Sequence, residues 1–390
     1  MHVLWTPSWY PMPNAPLNGT FFEEQVEILR SAGHDVGVYC LSPQSFWQWR
    51  RTPTVVDTDR HLLFDSFPTV PKGALPGDYA LIRRYARAAA EQYVSRWGKP
   101  DVIHAHSVFP GVFVAQNLAD LWGVPYGITE HRGSVLDAKE TTPRFARITD
   151  AVRRADYRLA VSRGFANALG AKFGVPFDVA ALPVPEHFFD HALHQPRTGT
   201  TRFVHVSGLD RWKRVEETID ALSEIRAEGL NVQLDIIGGT PERVEHFTTY
   251  VRDRGLSGSV AVLGPVSRDD LAGRLAEYDV LVLVSSTETA GMVFAEAQSL
   301  GIPVIGSSTF GGSFMVTPTT GIVVPIDEPE ALKDAMRKFA SGEVSLNPQS
   351  VRDEARSRFS ADAFAALHNE IYTQAVKDHS ASEGSSSPAN

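Results

Sequence analysis

The chain has 390 residues, length for two or three domains at ~150 residues each, and its 43% apolar and 21% charged residues are those of a globular protein. Lys and Arg number 37 against 46 Asp and Glu, a net charge of −9 that argues against a protein built mainly to grip nucleic acid. One cysteine, Cys40, excludes an internal disulfide and a thiolate metal cluster within a single chain.

Short apolar runs alternate with longer, charged, helix-patterned segments. Val3–Thr6 reads as a strand, followed by a Pro/Gly/Asn loop and a helix over Phe21–Ala32 that Gly33 is placed to stop. Val36–Leu41, Asp101–His104, Val124–Thr129 and Leu159–Val161 are further strands, with a helix near Phe113–Trp122. Leu182–Thr201 then mixes prolines with turn residues and shows no clear period, which reads as a linker near 185–200. The alternation restarts with Arg202–Ser207, a helix over Val215–Ala227, Val232–Ile237, Val260–Leu263, Val280–Val284, a helix near Met292–Leu300 and Pro303–Ile305. The expectation is α/β: two doubly wound parallel-sheet domains, at 1–190 and 198–358. A final helix is expected within 360–377 and a disordered tail over 380–390.

No basic region with an apolar core and cleavage site opens the chain, so no signal peptide is read there. Ala297–Ile326 is uncharged but broken by prolines and glycines, and reads as strand and loop. A cytoplasmic protein is expected.

In open α/β sheets ligands bind beyond the carboxyl ends of the strands, so the residues there carry most weight. After the first strand, Gly19-Thr20 opens a helix, either as an ordinary cap or as a phosphate-binding N-terminus. After Arg202–Ser207, the cations Arg211, Lys213 and Arg214 either form a solvated turn or neutralise a diphosphate. After Val280–Val284 come Glu288 and, eight residues on, Glu296, framed by a strand end, Gly291 and an apolar helix. Two carboxylates so placed suit the hydroxyls of sugar and ribose, or acid/base work.

Together these residues resemble the retaining glycosyltransferases of family 4, with the GT-B architecture. Glu288–Glu296 matches the family's Glu-x7-Glu motif, and EAQSLGIPVIGS follows it as in the family. Lys213 matches the lysine of the donor phosphate site. The opening YPMPNAPLNGTFFEEQ, the histidine-bearing IHAHSVFPG and ITEHRGS, and LAVSRGF are similar to the family's first-domain segments. The resemblance implies two Rossmann-like domains facing a central cleft, with a nucleotide sugar bound mostly to the second and a final helix that crosses back to the first. Glu296 would hold the ribose and Lys213 the diphosphate, with Gly208 and Arg211 beside it. Glu288 and the Gly291-Met292-Val293 backbone would hold the donor sugar or phosphate. Gly19 would let the backbone approach the diphosphate, and His131 would stand beside the transferred sugar. The resemblance further implies retention at the anomeric carbon, no metal, and a UDP-sugar ahead of a GDP-sugar. The acceptor would be a glycan or a lipid-linked sugar, in cell-surface or exopolysaccharide assembly. A nucleotide-sugar epimerase or hydrolase, or a binding module without catalysis, are the rival readings. Three positions depart from the pattern: Gly208 replaces an arginine, Val184 follows Pro183 where asparagine is usual, and Phe314 stands for an acid.

Weaker signals complete the reading. Asp57-Thr58-Asp59 reads as a solvated loop, and His104 and His106 as hydrogen-bonded strand-end histidines on one face. Trp122 is expected in the core. Ser45–Arg51 (SFWQWRR) and Arg83–Lys99, with five cations against Glu91, are either solvated faces or a face of the first domain that meets a lipid-linked or anionic glycan acceptor at the membrane.

Overall fold

The computed structural model describes residues 1–12, 15, 18–47, 49–50, 53–69, 78–195 and 199–385. They form two units, Met1–Ala180 with the chain from Phe364 onward, and Ala181–Ala363.

The first unit is an eight-stranded sheet of β1 (His2–Pro7), β2 (Asp35–Ser45), β3 (Val55–Asp57), β4 (Leu62–Thr69), β5 (Val102–His106), β6 (Tyr126–Glu130), β7 (Tyr157–Ala160) and β8 (Asp178–Val179). The order is β3-β4-β2-β1-β5-β6-β7-β8, parallel except that β3 runs against β4. Near-continuous apolar runs such as Val3–Trp5 are fully buried, as strands covered on both faces require. Because β1 lies between β2 and β5, the loops that leave β1 and β5 diverge at the point where strand order reverses.

The second unit is a six-stranded parallel sheet: β9 (Thr201–Ser207), β10 (Val232–Gly238), β11 (Val260–Gly264), β12 (Val280–Leu283), β13 (Val304–Ser307) and β14 (Gly321–Val324). Its order, β11-β10-β9-β12-β13-β14, is doubly wound, and the switch point lies between β9 and β12. Phe203, Leu234, Val282 and Ile305 from the sheet pack with Val215, Ile219 and Leu222 of the following helix in one core.

Three segments differ from the sequence reading. The region read as linker is docked on the second unit: the Val184 amide donates to the Phe359 carbonyl at 2.8 Å, and His194 to Leu300 at 2.9 Å. Residues 196–198 of it lie outside the described residues. The final helix spans Ala361–Ser385, not ending near 377, because Ala381 is a strong helix former and serine, whose hydroxyl at Ser380 donates back to the Val376 carbonyl at 2.9 Å, is tolerated within a helix. Of the expected disordered tail, residues 386–390 lie outside the described residues. Finally, of Asp57-Thr58-Asp59 the first residue ends a strand and the other two open the turn, residues 58–61, of a β3–β4 hairpin that composition hid. The final helix packs Phe364, Tyr372 and Ala375 into the first unit's core beside Val3, Trp5 and Val38.

Candidate active site

In the second unit the site is assembled from the loops that leave β9 and β12. The Ser286 amide donates to the Trp212 carbonyl at 2.8 Å, so the two loops are tied across the switch point. On this frame Lys213 Nζ reaches Glu288 Oε2 at 2.6 Å, with the two side chains only 16% and 17% exposed. Lys213 ends a single 3-10 turn, Arg211–Lys213. Beneath it, His205 is buried and its imidazole is held down to about 3, by burial first and then by the Lys213 charge. It therefore stays neutral beside the ammonium, sharing a hydrogen bond of 2.9 Å with Ser207 Oγ.

Glu288 is followed by the helix Met292–Ser299, entered through Gly291 at φ 77°. A Cβ on Gly291 would stand 2.8 Å from the Phe294 ring and 3.1 Å from Glu288 Cγ. Only glycine gives this turn without strain. Gly291 at the N-cap has no side chain with which to cap the helix, and the first amides, those of Met292 and Val293, have no partner within it. Glu296 lies in the same helix, buried, with Arg268 3.9 Å from its carboxylate. The Gly311 amide donates to the Glu288 carbonyl at 2.8 Å and fixes the loop from the other side.

Gly208, where the family pattern has arginine, is met from elsewhere. Arg243, in the helix Pro241–Asp253, donates to the Gly208 carbonyl at 2.7 Å and pairs with Asp210 at 2.5 Å. Sequence reading missed this cation. Its signal was its place, four residues past the Gly238-Gly239 end of β10. Arg211 is exposed on its turn. Phe314 lies beneath the Arg358 guanidinium, 4.9 Å from it.

Gly19 and His131 belong to the first unit. Gly19 opens the helix Thr20–Ser31 at φ 87°, and a Cβ there would meet the Trp9 ring at 2.8 Å. His131 follows β6, stacked on His106 with a hydrogen bond of 3.1 Å between their ring nitrogens, and bordered by Phe21 and Phe22. Enclosure and the adjoining Arg132 charge hold its imidazole down to about 3, so it is neutral at pH 7. The Arg132 guanidinium lies 3.6 Å over the Trp9 ring. His104 is hydrogen-bonded as expected, to Tyr372 at 2.7 Å and Thr129 at 2.8 Å.

The residue that sequence reading overlooked here is Glu130. Its buried carboxylate accepts from Ser107 Oγ and from the amides of Val108, His131 and Arg132, at 2.7–2.9 Å. Burial raises its pKa and these four donors oppose the rise. One carboxylate thus shapes the loops after both β5 and β6. Trp122, expected in the core, is half-buried against Tyr93. Of SFWQWRR, Phe46 and Trp47 are exposed, while Gln48 and Arg51 lie outside the described residues. Among the described residues no helix is long and apolar enough to cross a membrane.

Two doubly wound parallel-sheet domains are the architecture of GT-B transferases, and the comparisons agree with that fold. Residues 19–185 match the glycosyl transferase 4-like domain and residues 188–362 the glycosyl transferases group 1. The chain belongs to the family 4 glycosyltransferases. It is 25% identical to the putative teichuronic acid biosynthesis glycosyltransferase TuaC of Bacillus subtilis, over 96% of this chain and 98% of that one. It is 26% identical to the D-inositol 3-phosphate glycosyltransferase of Paenarthrobacter aurescens, over 70% of each. In fold it is similar to the lipopolysaccharide outer core galactosyltransferase WaaB, with a TM-score of 0.73 at 18% identity over 96% of this chain and all of the other. Anabaena Alr3699/HepE in complex with UDP and glucose gives a TM-score of 0.67 at 17% identity, again over 96% and 100%.

Proposed function

We propose that the protein moves a hexose-type sugar from a nucleoside diphosphate sugar, a UDP-sugar in first place, to a glycan or lipid-linked acceptor, with retention and without a metal. The observation that carries this reading is the Lys213–Glu288 pair at the switch point of the second sheet. Lys213 supplies a charge for the leaving diphosphate, and the amides at the start of Met292–Ser299 supply neutral donors, which together take the place of a cation. Glu288 holds Lys213 and positions the donor sugar. Glu296, buried and acceptor-only when ionised, takes the ribose hydroxyls. In transfer the bond from the anomeric carbon to the phosphate oxygen breaks, the acceptor oxygen bonds to the same face of that carbon, and its proton passes to the leaving phosphate. His131, neutral, accepts or donates one hydrogen bond beside the sugar and carries no charge into the reaction. Cell-surface glycan assembly is the setting that the relatives' names support.

The test is thermal stabilisation by a panel of nucleotides and nucleotide sugars in the presence of a chelator. A ligand at ~100 times its Kd adds about 2.7 kcal/mol, which is visible as a shift of a few degrees. The expected result is a shift with UDP and a UDP-sugar that Glu296→Ala removes. Stabilisation only when a divalent metal is restored would overturn the metal-free mechanism, and no shift with any nucleotide would overturn the donor class.

A further inference from the structure

The first unit contains a cavity of about 660 Å³, bounded by β4, by Trp49, Pro53 and Thr54 ahead of β3, and by the helix Asp78–Trp97. Trp49, Thr54, Asp65, Leu81, Arg84 and Tyr85 line it. None of these belongs to the surroundings of His131 described above; Trp49, Arg84 and Tyr85 lie in the two segments that the sequence offers as a contact face of the first domain.

The walls are fixed from behind. The Trp49 indole N–H donates to the Ser66 carbonyl at 3.2 Å, which holds the ring against β4. The helix that carries Leu81, Arg84 and Tyr85 is anchored at its start, where Asp78 pairs with Arg144 and accepts from Thr69 Oγ1 at 3.2 Å. Asp65, buried, accepts one bond on each oxygen, from Thr54 Oγ1 at 2.7 Å and from the Tyr39 hydroxyl at 3.2 Å. A carboxylate has about four acceptor positions. Two remain for a ligand.

This chemistry selects one class of ligand. A nucleotide or other phosphate is disfavoured, because a buried carboxylate faces it and only Arg84 among the lining residues is cationic. A purely apolar molecule would leave the remaining acceptor positions of Asp65 dry, which burial makes unfavourable. A cation is opposed by the Arg84 guanidinium. A hydroxylated ring satisfies every wall at once: its hydroxyls donate to Asp65 and accept from Arg84, while its carbon face lies on Trp49 or Tyr85. We propose that this cavity is a carbohydrate-binding subsite, which takes one pyranose unit of a glycan away from the donor residues of the second unit. The glycan reading under "Proposed function" guides only the choice of probe.

Saturation-transfer NMR with methyl α-glucopyranoside, galactopyranoside and mannopyranoside tests it on the full chain. At least one should give a saturable signal. Asp65→Asn, which keeps the volume and the bonds from Thr54 or Tyr39, should weaken it at least about tenfold. Ala88→Trp, at an exposed helix position that also lines the cavity, should abolish the signal by filling the space. Lys213→Ala should leave it unchanged. No saturable signal with any of the three, or a signal that survives both Asp65→Asn and Ala88→Trp, would overturn the proposal. Because nucleotide binding and methyl glycoside binding are read separately, sugar binding here without nucleotide binding would sink the donor reading and leave this one standing.

Discussion

Lys213 and Glu288 are the residues on which the proposed function turns, and their pairing is itself measurable. Each is mostly withdrawn from water, so neither charge is cheap to leave alone. Lys213→Met and Glu288→Gln should each destabilise the second unit, whereas the double variant should lose less than the sum. A coupling of about 1–3 kcal/mol is expected from a double-mutant cycle by chemical denaturation. A coupling near zero would mean that the 2.6 Å contact contributes nothing in solution. The sequence made both residues legible, because a strand end followed by Glu288, Gly291 and Glu296 is a local pattern. It did not reveal that they touch, since 75 residues separate them. Glu130 was hidden for the same reason: its ligands Ser107 and Val108 lie on a loop more than twenty residues away, and nothing local sets a structural glutamate apart from a solvated one.

Among elements, the helix Met292–Ser299 depends most on a single backbone angle. Gly291→Ala places a side chain at φ 77°, costing about 1–2 kcal/mol, and drives its methyl toward Phe294 and Glu288. Lower stability and weaker UDP binding should appear together, while Gly258→Ala, with nothing within 4 Å of the new methyl, should change neither. Unaltered UDP affinity in Gly291→Ala would detach this turn from the donor site. Elements were legible where an apolar run announced them. β4 was not, because LLFDSFPT carries Asp65, Ser66 and Pro68 in its run, and the polarity is absorbed by Tyr39 and Thr54, partners supplied by the fold. β14 is four residues long and follows a run of threonines and a proline, too brief for a period to show.

At the scale of the molecule, buried imidazoles tie stability to pH. His104, His106, His131, His205 and His368 are all held below their ordinary value of 6.5, burial being the first cause in each. The unfolded chain takes up protons near 6.5 that the folded chain refuses. Their stabilisation is therefore complete above 6.5 and is lost as the pH falls below it. Four of the five lie in the first unit, so denaturation followed from pH 7.5 to 5.5 should show that unit's transition falling further than the second's. Equal or flat transitions would contradict it. Glu130 and Asp65, whose pKa values are raised by burial, act in the opposite sense at lower pH.

The Trp5 indole donates to the Tyr372 hydroxyl across 367 residues of chain. During synthesis the opening strand therefore leaves the ribosome long before its partner exists, by roughly 20–70 seconds at about 5–20 residues per second. In that interval the continuous Ala181–Ala363 segment emerges whole, while the unit begun first still lacks the Phe364 and Tyr372 side chains that complete its core. The part of the protein that is translated first is the part that is finished last.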